Sequence, residues 1–348
     1  MSKDKYIISF KPKEVTKKLL ATLSDRARDI LIKRYGLKSA DRQTLEAIGS
    51  EYKITRERVR QIENFAINAI RKSPEFTGLD YVFTELKSLM EYYGGLVHEA
   101  EFLQAMAKDK ISQNHIHFLL AISDVFIKLK EDNEFYHRWT TDKETAETVH
   151  ASIRQLCRNL NHNDLVSEAK LIEDFITRFA DILDKFQADN QELVRRWLSL
   201  SKELNQNPLG EWGLAKSPNV RMRGIRDYAY LVLRSHGSPM HFTEVAKQII
   251  ALFGKQAHPA TCHNELIKDD RFVLVGRGLY ALTEWGYTKG VVADVLRTII
   301  REAATPLSKE EIISRVLKER HVKENTILVN LQNSDYFRKD EFGRYFLA

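Results

Sequence analysis

Cysteine is almost missing from this chain: Cys157 and Cys262 are the only two in 348 residues. They lie far apart in helix-like contexts, which excludes a disulfide framework and a cysteine-based zinc site and leaves two buried thiols as the expectation. Long apolar runs are missing too. The start, MSKDKYIISFKPKE, lacks the hydrophobic stretch of a signal peptide, and no segment approaches the length needed to span a bilayer, so no membrane partner is expected and the cytoplasm is the expected compartment. No heptad run is present, which predicts a monomer or a weak dimer.

Catalytic groupings are equally scarce. His98, His115, His117 and His137 have no cysteine or carboxylate partners at ligand spacing, so they read as core or surface histidines and no metal is expected. Gly276-Arg277-Gly278 is too short for a phosphate loop and lies inside a hairpin pattern. The pairs Asp269-Asp270 and Glu310-Glu311 are not followed by a lysine-bearing strand of nuclease type, and a helix N-terminus accounts for Glu310-Glu311. The expectation is a protein without a cofactor and without enzymatic activity.

What the chain has is positive charge at one end. Its formal charge is +6, but residues 1–77 hold 18 Lys and Arg against 10 Asp and Glu, so the remainder carries a net charge of −2. A polyanion-binding surplus is therefore concentrated at the N-terminal end. Residues 1–11 form a basic lead in which Tyr6 to Phe10 either adds an edge strand or docks on a partner. Val15, Leu19, Leu20 and Leu23 then share one helical face.

The most informative stretch is 44–72, TLEAIGSEYKITRERVRQIENFAINAIRK, which reads as two helices joined by the turn SEYKI. With Arg56 at zero and 100° per residue, Val59, Ile62, Ala66, Ala69 and Ile70 fall between about 220° and 320°, a buried stripe. Arg56, Glu57, Arg60, Gln61, Asn64 and Arg71 fall between about 0° and 140°. These side chains suit guanine (Arg), cytosine N4 (Glu), adenine (Gln, Asn) and phosphate. Such a face is either ordinary solvated surface or a surface for the major groove. Thr44 and Thr55 are good N-caps for the two helices, and Leu45 and Ile48 point inward from the first.

TLEAIG followed by ITRERVRQIE resembles region four of the vegetative sigma factors, the module that reads the −35 promoter element. The resemblance extends upstream through LSDRARDILIKRYGL, where Ser24 caps a helix and Gly36 ends it at a position needing positive φ. It covers roughly residues 12–73. It implies that Arg56, Glu57 and Gln61 contact bases and that Arg58 and Arg60 make further DNA contacts. Thr44, Thr55 and Asn64 are expected at the same DNA-binding surface, and Lys53 and Arg42 are expected to steer by charge. Ser73-Pro74 ends the second helix.

Beyond residue 80 the chain repeats itself. LVHEAEFL at 96–103 is echoed by LVSEAKLI at 165–172, and the first copy runs on through a helix, SQNHIHFLLAIS, and a hairpin pattern, DVFIKLKEDNEFYHRWTT. Three helices and a hairpin are the order of a winged helix. The second copy offers only Leu209–Leu214 as a wing. Downstream, Pro239, Glu244 and Tyr280 align with Pro306, Glu311 and Tyr345, each copy ending in a glycine-turned hairpin. Of this pair, HGSPMHFTEVAKQI with NELIKDDRFVLVGRGLYALTEWGY resembles the HARE-HTH domain found in the delta subunit of bacterial RNA polymerase and fused to some chromatin and restriction proteins. His241 is then structural, and Arg277 sits at a wing tip, where it either contacts DNA or is simply solvated. Trp139, Trp197, Trp212 and Trp285 fall at wing or helix ends, where closing a small core is their expected role.

The expected fold is mainly α, with tandem helix-turn-helix and winged-helix domains carrying short β-hairpin wings. The expected domains are a lead at 1–11, a region four-like unit at 12–77, winged-helix units at 80–141 and, in degenerate form, 142–217, a HARE-HTH unit at 225–287 and a second such repeat at 288–348. The two resemblances together imply a nucleoid-associated regulator of transcription that binds promoter double-stranded DNA and contacts core RNA polymerase. It lacks the aromatic-rich helix with which sigma factors melt promoters. The alternatives are a polymerase-docking sigma mimic without base readout and a DNA-binding specificity subunit of a restriction or repair system.

Overall fold

The structure is a computed structural model and describes residues 8–186, 189–287, 292–303, 305–320 and 322–348. Tyr6 and Ile7 lie outside the described residues; Ser9 hydrogen-bonds the Glu85 carboxylate and Phe10 is buried, so the described end of the lead is packed on the body. The chain forms two compact units, Met1–Gln206 with Gly210–Lys216, and Asn207–Leu209 with Ser217–Ala348. The architecture is mainly α, built from tandem helix-turn-helix and winged-helix elements with short antiparallel wings.

In the first unit, α1 (Pro12–Ala21) starts on a proline, whose missing N–H is harmless at a helix start, and buries Val15, Leu19 and Leu20. α2 (Asp25–Tyr35) follows Ser24, which has cap geometry but makes no side-chain cap hydrogen bond. It ends at Gly36, φ 65°. A Cβ there would meet Asn114 Nδ2 at 2.7 Å and Asp41 O at 2.9 Å, so glycine is needed for both conformation and close approach. α3 (Leu45–Tyr52) is capped by Thr44, which accepts from Ala47 N–H, and α4 (Arg56–Arg71) by Thr55, which accepts from Arg58 N–H. The turn between them is shorter than SEYKI suggests, because Ser50, Glu51 and Tyr52 stay helical. Glu51 pairs with Lys33, and Tyr52 donates to Asp29, which ties that last turn of α3 to α2.

Ser73 caps the single turn α5 (Pro74–Thr77), and α6 (Asp80–Tyr92) continues from it. The apolar core does not break here: Leu19, Ala66 and Ile70 share one cluster with Val82, Leu86, Phe118, Leu119 and Trp139. Next come β1 (Leu96–His98), α7 (Glu99–Met106), α8 (Lys110–Ile122), β2 (Ile127–Leu129) and β3 (Arg138–Thr140), the strands ordered β1-β3-β2. The same order returns in α9 (Lys143–Asn159), β4 (Val166–Ser167), α10 (Glu168–Arg178), α11 (Ala180–Leu183), α12 (Asn190–Leu198), β5 (Leu204–Gln206) and β6 (Glu211–Leu214), with strands β4-β6-β5. Val97 faces Trp139 across the first sheet and Val166 faces Trp212 across the second. The second wing is thus as complete in strand order as the first. Leu204–Gln206, too polar to read as a strand, supplies the partner for Glu211–Leu214.

The third helix of each of these repeats is spent on packing. In α8 the run Gln113 to Leu120 is buried, because α8 lies against α1, α2 and α7. In α12, Leu193, Val194, Trp197 and Leu198 are buried, Trp197 donates to Gly94 O, and the Arg196 guanidinium lies 4.1 Å from the Tyr93 ring centroid.

The second unit contains α13 (Ile225–His236), β7 (Met240–His241), α14 (Phe242–Phe253), α15 (Pro259–Lys268), β8 (Phe272–Gly276) and β9 (Leu279–Leu282), closed by a 3-10 turn at Thr283–Trp285. Then follow α16 (Val292–Glu302), α17 (Lys309–Glu319), α18 (Glu324–Leu331), β10 (Phe337–Lys339) and β11 (Tyr345–Leu347). Met240 pairs with Tyr280, and Leu307 bridges to Tyr345. The spacing expected of tandem copies is therefore present as strand register. His241 caps α14 by accepting from Thr243 N–H, and Arg271 is held between Asp227 and Asp269.

Candidate nucleic-acid interface

α4 owes its place to its apolar stripe. Val59 is fully buried against Ile30 of α2 and Ile48 of α3, and Ala66 and Ile70 enter the larger core. Full burial of a valine-sized side chain is worth about 1.5–3 kcal/mol, so these contacts fix which face points outward. On that outer face Arg56, Glu57, Arg58, Arg60, Gln61 and Asn64 are all exposed. Thr44 and Thr55 sit just before α3 and α4 with their hydroxyls engaged in capping.

The polar face is pre-arranged by its own contacts. Arg56 Nη1 lies 3.0 Å from Glu46 Oε1. Arg60 donates twice to Glu57, at 2.9 and 2.7 Å, and Arg58 donates to Gln61 Oε1 at 3.0 Å. The hydrogen bond from Arg56 holds the Glu46 carboxyl below its usual range, and that from Arg60 does the same for Glu57, so both are ionised at neutral pH. Exposed pairs of this kind are weak and easily exchanged for a stronger acceptor. At the head of α4 lies an open depression of about 520 Å³ lined by Glu46, Gly49, Ser50, Lys53, Ile54, Thr55 and Arg56. Lys53 adopts φ 53°, and its exposed side chain stands at the rim.

Two cations expected at this surface are engaged elsewhere. Arg42 donates to Asn114 Oδ1 at 2.8 Å and lies 3.9 Å from Glu99, so it belongs to the packing between α8 and the loop after α2. Arg71 donates to Ile122 O and pairs with Asp124. The helical wheel places Arg71 on the outer face because it is blind to a partner 51 residues away, and charge alone carries no record of the partner 72 residues away that holds Arg42. Phe65 is a member of this face that sequence reasoning misses: it is 73% exposed on α4, one turn beyond Gln61. Its position on the helical wheel, about 180° from Arg56, is the available signal. Glu46 is missed as well, and no periodic pattern links it to Arg56.

Arg277 is exposed at the β8–β9 turn, beside Gly278 with φ 72°. Among the described residues no group of three His, Cys, Asp or Glu is arranged to hold a metal ion, and no helix is long and apolar enough to cross a membrane. Cys157 and Cys262 are buried, and burial pushes their thiols up to about 12 and about 11.

Exposed arginines, a glutamine and an asparagine share a helix whose N-terminus is capped, side-chain types that can hydrogen-bond base edges and phosphates. Residues 19–72 match the family model described as Sigma-70, region 4. The helix-turn-helix is therefore similar to sigma region four. Within it the chain is 51% identical over 53 residues to the RNA polymerase sigma factor SigA1 of Synechococcus elongatus, covering 15% of this chain and 13% of that protein. It is 48% identical over 59 residues to the sigma factor SigA of a Nostoc species, covering 17% and 15%, and 43% identical over 60 residues to the sigma factor RpoS of Coxiella burnetii, covering 17% of each. The chain thus spans about a seventh of the length of these relatives. Residues 225–285 match a second family model, HARE-HTH, a helix-turn-helix domain whose description includes restriction endonucleases. The region four segment holds α4 and its cap, and the second holds α15 and the Arg277 wing.

Proposed function

We propose that this protein is a cytoplasmic, nucleoid-associated transcription regulator without enzymatic activity. It reads a −35-like promoter element through α4 and contacts core RNA polymerase. The observation that carries this reading is the undivided outer face of α4 within a segment similar to sigma region four. Arg56, Glu57 and Gln61 read base edges, Arg58 and Arg60 add groove-edge or phosphate contacts, and Asn64, Thr44, Thr55 and Lys53 line the same approach. Arg56 exchanges Glu46 for a guanine edge, a bidentate contact worth more than an exposed ion pair.

In this reading residues 12–77 form the reading unit, while 80–141 and 142–217 brace it, since α8 and α12 are occupied by packing. The 225–287 unit keeps α15 open, with Thr261, Asn264 and Lys268 exposed, and with Arg277 it meets flanking duplex or polymerase. The 288–348 unit repeats it. The protein acts as a monomer.

Titration of a labelled promoter duplex tests the reading. Arg56→Ala is expected to weaken binding to the preferred site far more than to random duplex, and equal loss on both would reduce Arg56 to a phosphate contact.

A further inference from the structure

A cavity of about 490 Å³ lies between the end of α9, the tip of the first wing and the end of β6. It falls outside both segments that match a family model, and every residue lining it belongs to the first unit. Four permanent cations, Arg154, Arg158, Lys202 and Lys216, line it against two carboxylates, Glu134 and Glu203. The surplus is local. Residues 142–217 as a whole hold 10 Lys and Arg against 13 Asp and Glu, so the cavity gathers cations on a repeat that is otherwise acidic.

The cations are of two kinds. Arg154 donates to Glu134 at 2.9 Å and Lys202 pairs with Glu131, which fixes both in the wall. Arg158, Lys216 and the neighbouring His162 are exposed and have no ion-pair partner among the described residues. Attraction to the helix dipole accounts for Arg158, at the C-terminal end of α9. It does not account for Lys216, just past β6, or for His162, in the loop after α9, yet all three line one cavity. The walls are held by backbone contacts: Phe135 bridges to Ser201, Lys202 N–H donates to Glu134 O at 2.7 Å, and Ala215 N–H donates to Glu203 O at 2.7 Å. The concavity is built by the protein itself. Between the charged groups, Leu214 and the neutral thiol of Cys157 give it an apolar patch.

We propose that this cavity binds a small polyphosphate anion of the nucleoside triphosphate class, its phosphates held by Arg158, Lys216 and Arg154 and its nucleoside resting on Leu214 and Cys157. The volume lies in the range that takes small ligands. Arginine forks and lysine point charges are the side chains that hold phosphate oxygens. Duplex backbone is the poorer source of those phosphates, because its long row of charges calls for an extended basic surface and the repeat around the cavity is net acidic. The proposal does not depend on base reading by α4.

Isothermal titration of the full chain at near-physiological salt, with ATP, inorganic tripolyphosphate and adenosine as probes, tests it. ATP and tripolyphosphate are expected to bind, and adenosine to bind at least about tenfold more weakly than ATP. Arg158→Glu with Lys216→Glu, both at exposed positions, should weaken ATP binding at least about tenfold. Lys143→Glu with Lys185→Glu makes the same change of charge at exposed positions outside the cavity and should leave ATP binding unaltered. Binding to random duplex DNA, measured in parallel, should be the same in the parent chain and the Arg158 and Lys216 variant. Absence of ATP binding overturns the proposal, as does ATP binding that survives the Arg158 and Lys216 change, or adenosine that binds as tightly as ATP. Loss of duplex binding in that variant overturns it too, since the cations would then serve the duplex backbone.

Discussion

Arg56 and Glu46 are joined by an ion pair of 3.0 Å across the turn, so the first arginine of α4 is anchored by the protein's own contact. The anchor is exposed and therefore weak. It fixes the direction of the guanidinium without competing seriously with a base edge. Glu46→Gln, which removes a competing anion and its charge from the approach to duplex, is expected to tighten binding about two- to fivefold, most at low salt. Titration of the promoter duplex at two salt concentrations measures this, and weaker binding would mean that the anchor matters more than the competition.

Arg56→Ala is expected to cost about 1–3 kcal/mol on the preferred site and to relax discrimination at one base pair. Lys53→Ala should weaken binding to all sequences alike and reduce the slope of log K against log salt by about one. The two variants separate reading from steering in the same assay.

Asn114 joins α8 to the loop after α2: it donates to Gly36 O and Ala40 O and accepts from Arg42. Asn114→Ala leaves buried carbonyls and a guanidinium without their partner and should destabilise the first unit by about 2–3 kcal/mol. Because Leu19, Ile70 and Leu119 share one core, residues 12–77 should melt together with 80–141. A separate early transition of the helix-turn-helix, followed by hydrogen exchange of α3 and α4, would contradict that coupling.

His117 is buried beside Glu99 and Lys128. Burial outweighs the attraction of Glu99 and depresses the imidazole to about 4. His150, buried beside Arg138, is likewise brought down to about 4. An unfolded histidine takes up its proton near pH 6.5, so between there and about 4 the unfolded chain binds more protons and stability falls with falling pH. For His117 the loss from pH 7 to pH 5 should be about 2 kcal/mol. Burial pushes the Glu99 carboxyl up, but its bonds to His117 and Lys128 prevail and hold it well below the usual range, so its own contribution is lost only in stronger acid. Urea unfolding at the two pH values, with His117→Asn expected to flatten the dependence, checks the assignment.

The helix-turn-helix was legible in the sequence because its determinants are local. Thr44, Thr55, Gly36 and the Val59–Ile70 stripe act within a turn or two of the chain, and caps and periodicity report such effects directly. The repeats were legible through self-similarity, which survives as strand register in Met240–Tyr280 and Leu307–Tyr345. The outer face of α4 was legible from the helical wheel, apart from Phe65 and Arg71. Packing between repeats was not legible. Burial of α8 on almost every side, capture of Arg42 by Asn114 and Glu99, and pairing of Leu204–Gln206 with Glu211–Leu214 all depend on partners distant in sequence, and a helical wheel carries no record of them. The apolar core that runs from the helix-turn-helix into the helices and sheet after it is one such feature.

Selection of bound sites from random duplex DNA by the purified chain, with and without core RNA polymerase at near-physiological salt, decides whether α4 reads sequence. The expected result is a defined motif from the protein alone, lost in Arg56→Ala. No enrichment by the chain alone, or a motif that persists in Arg56→Ala, would contradict it.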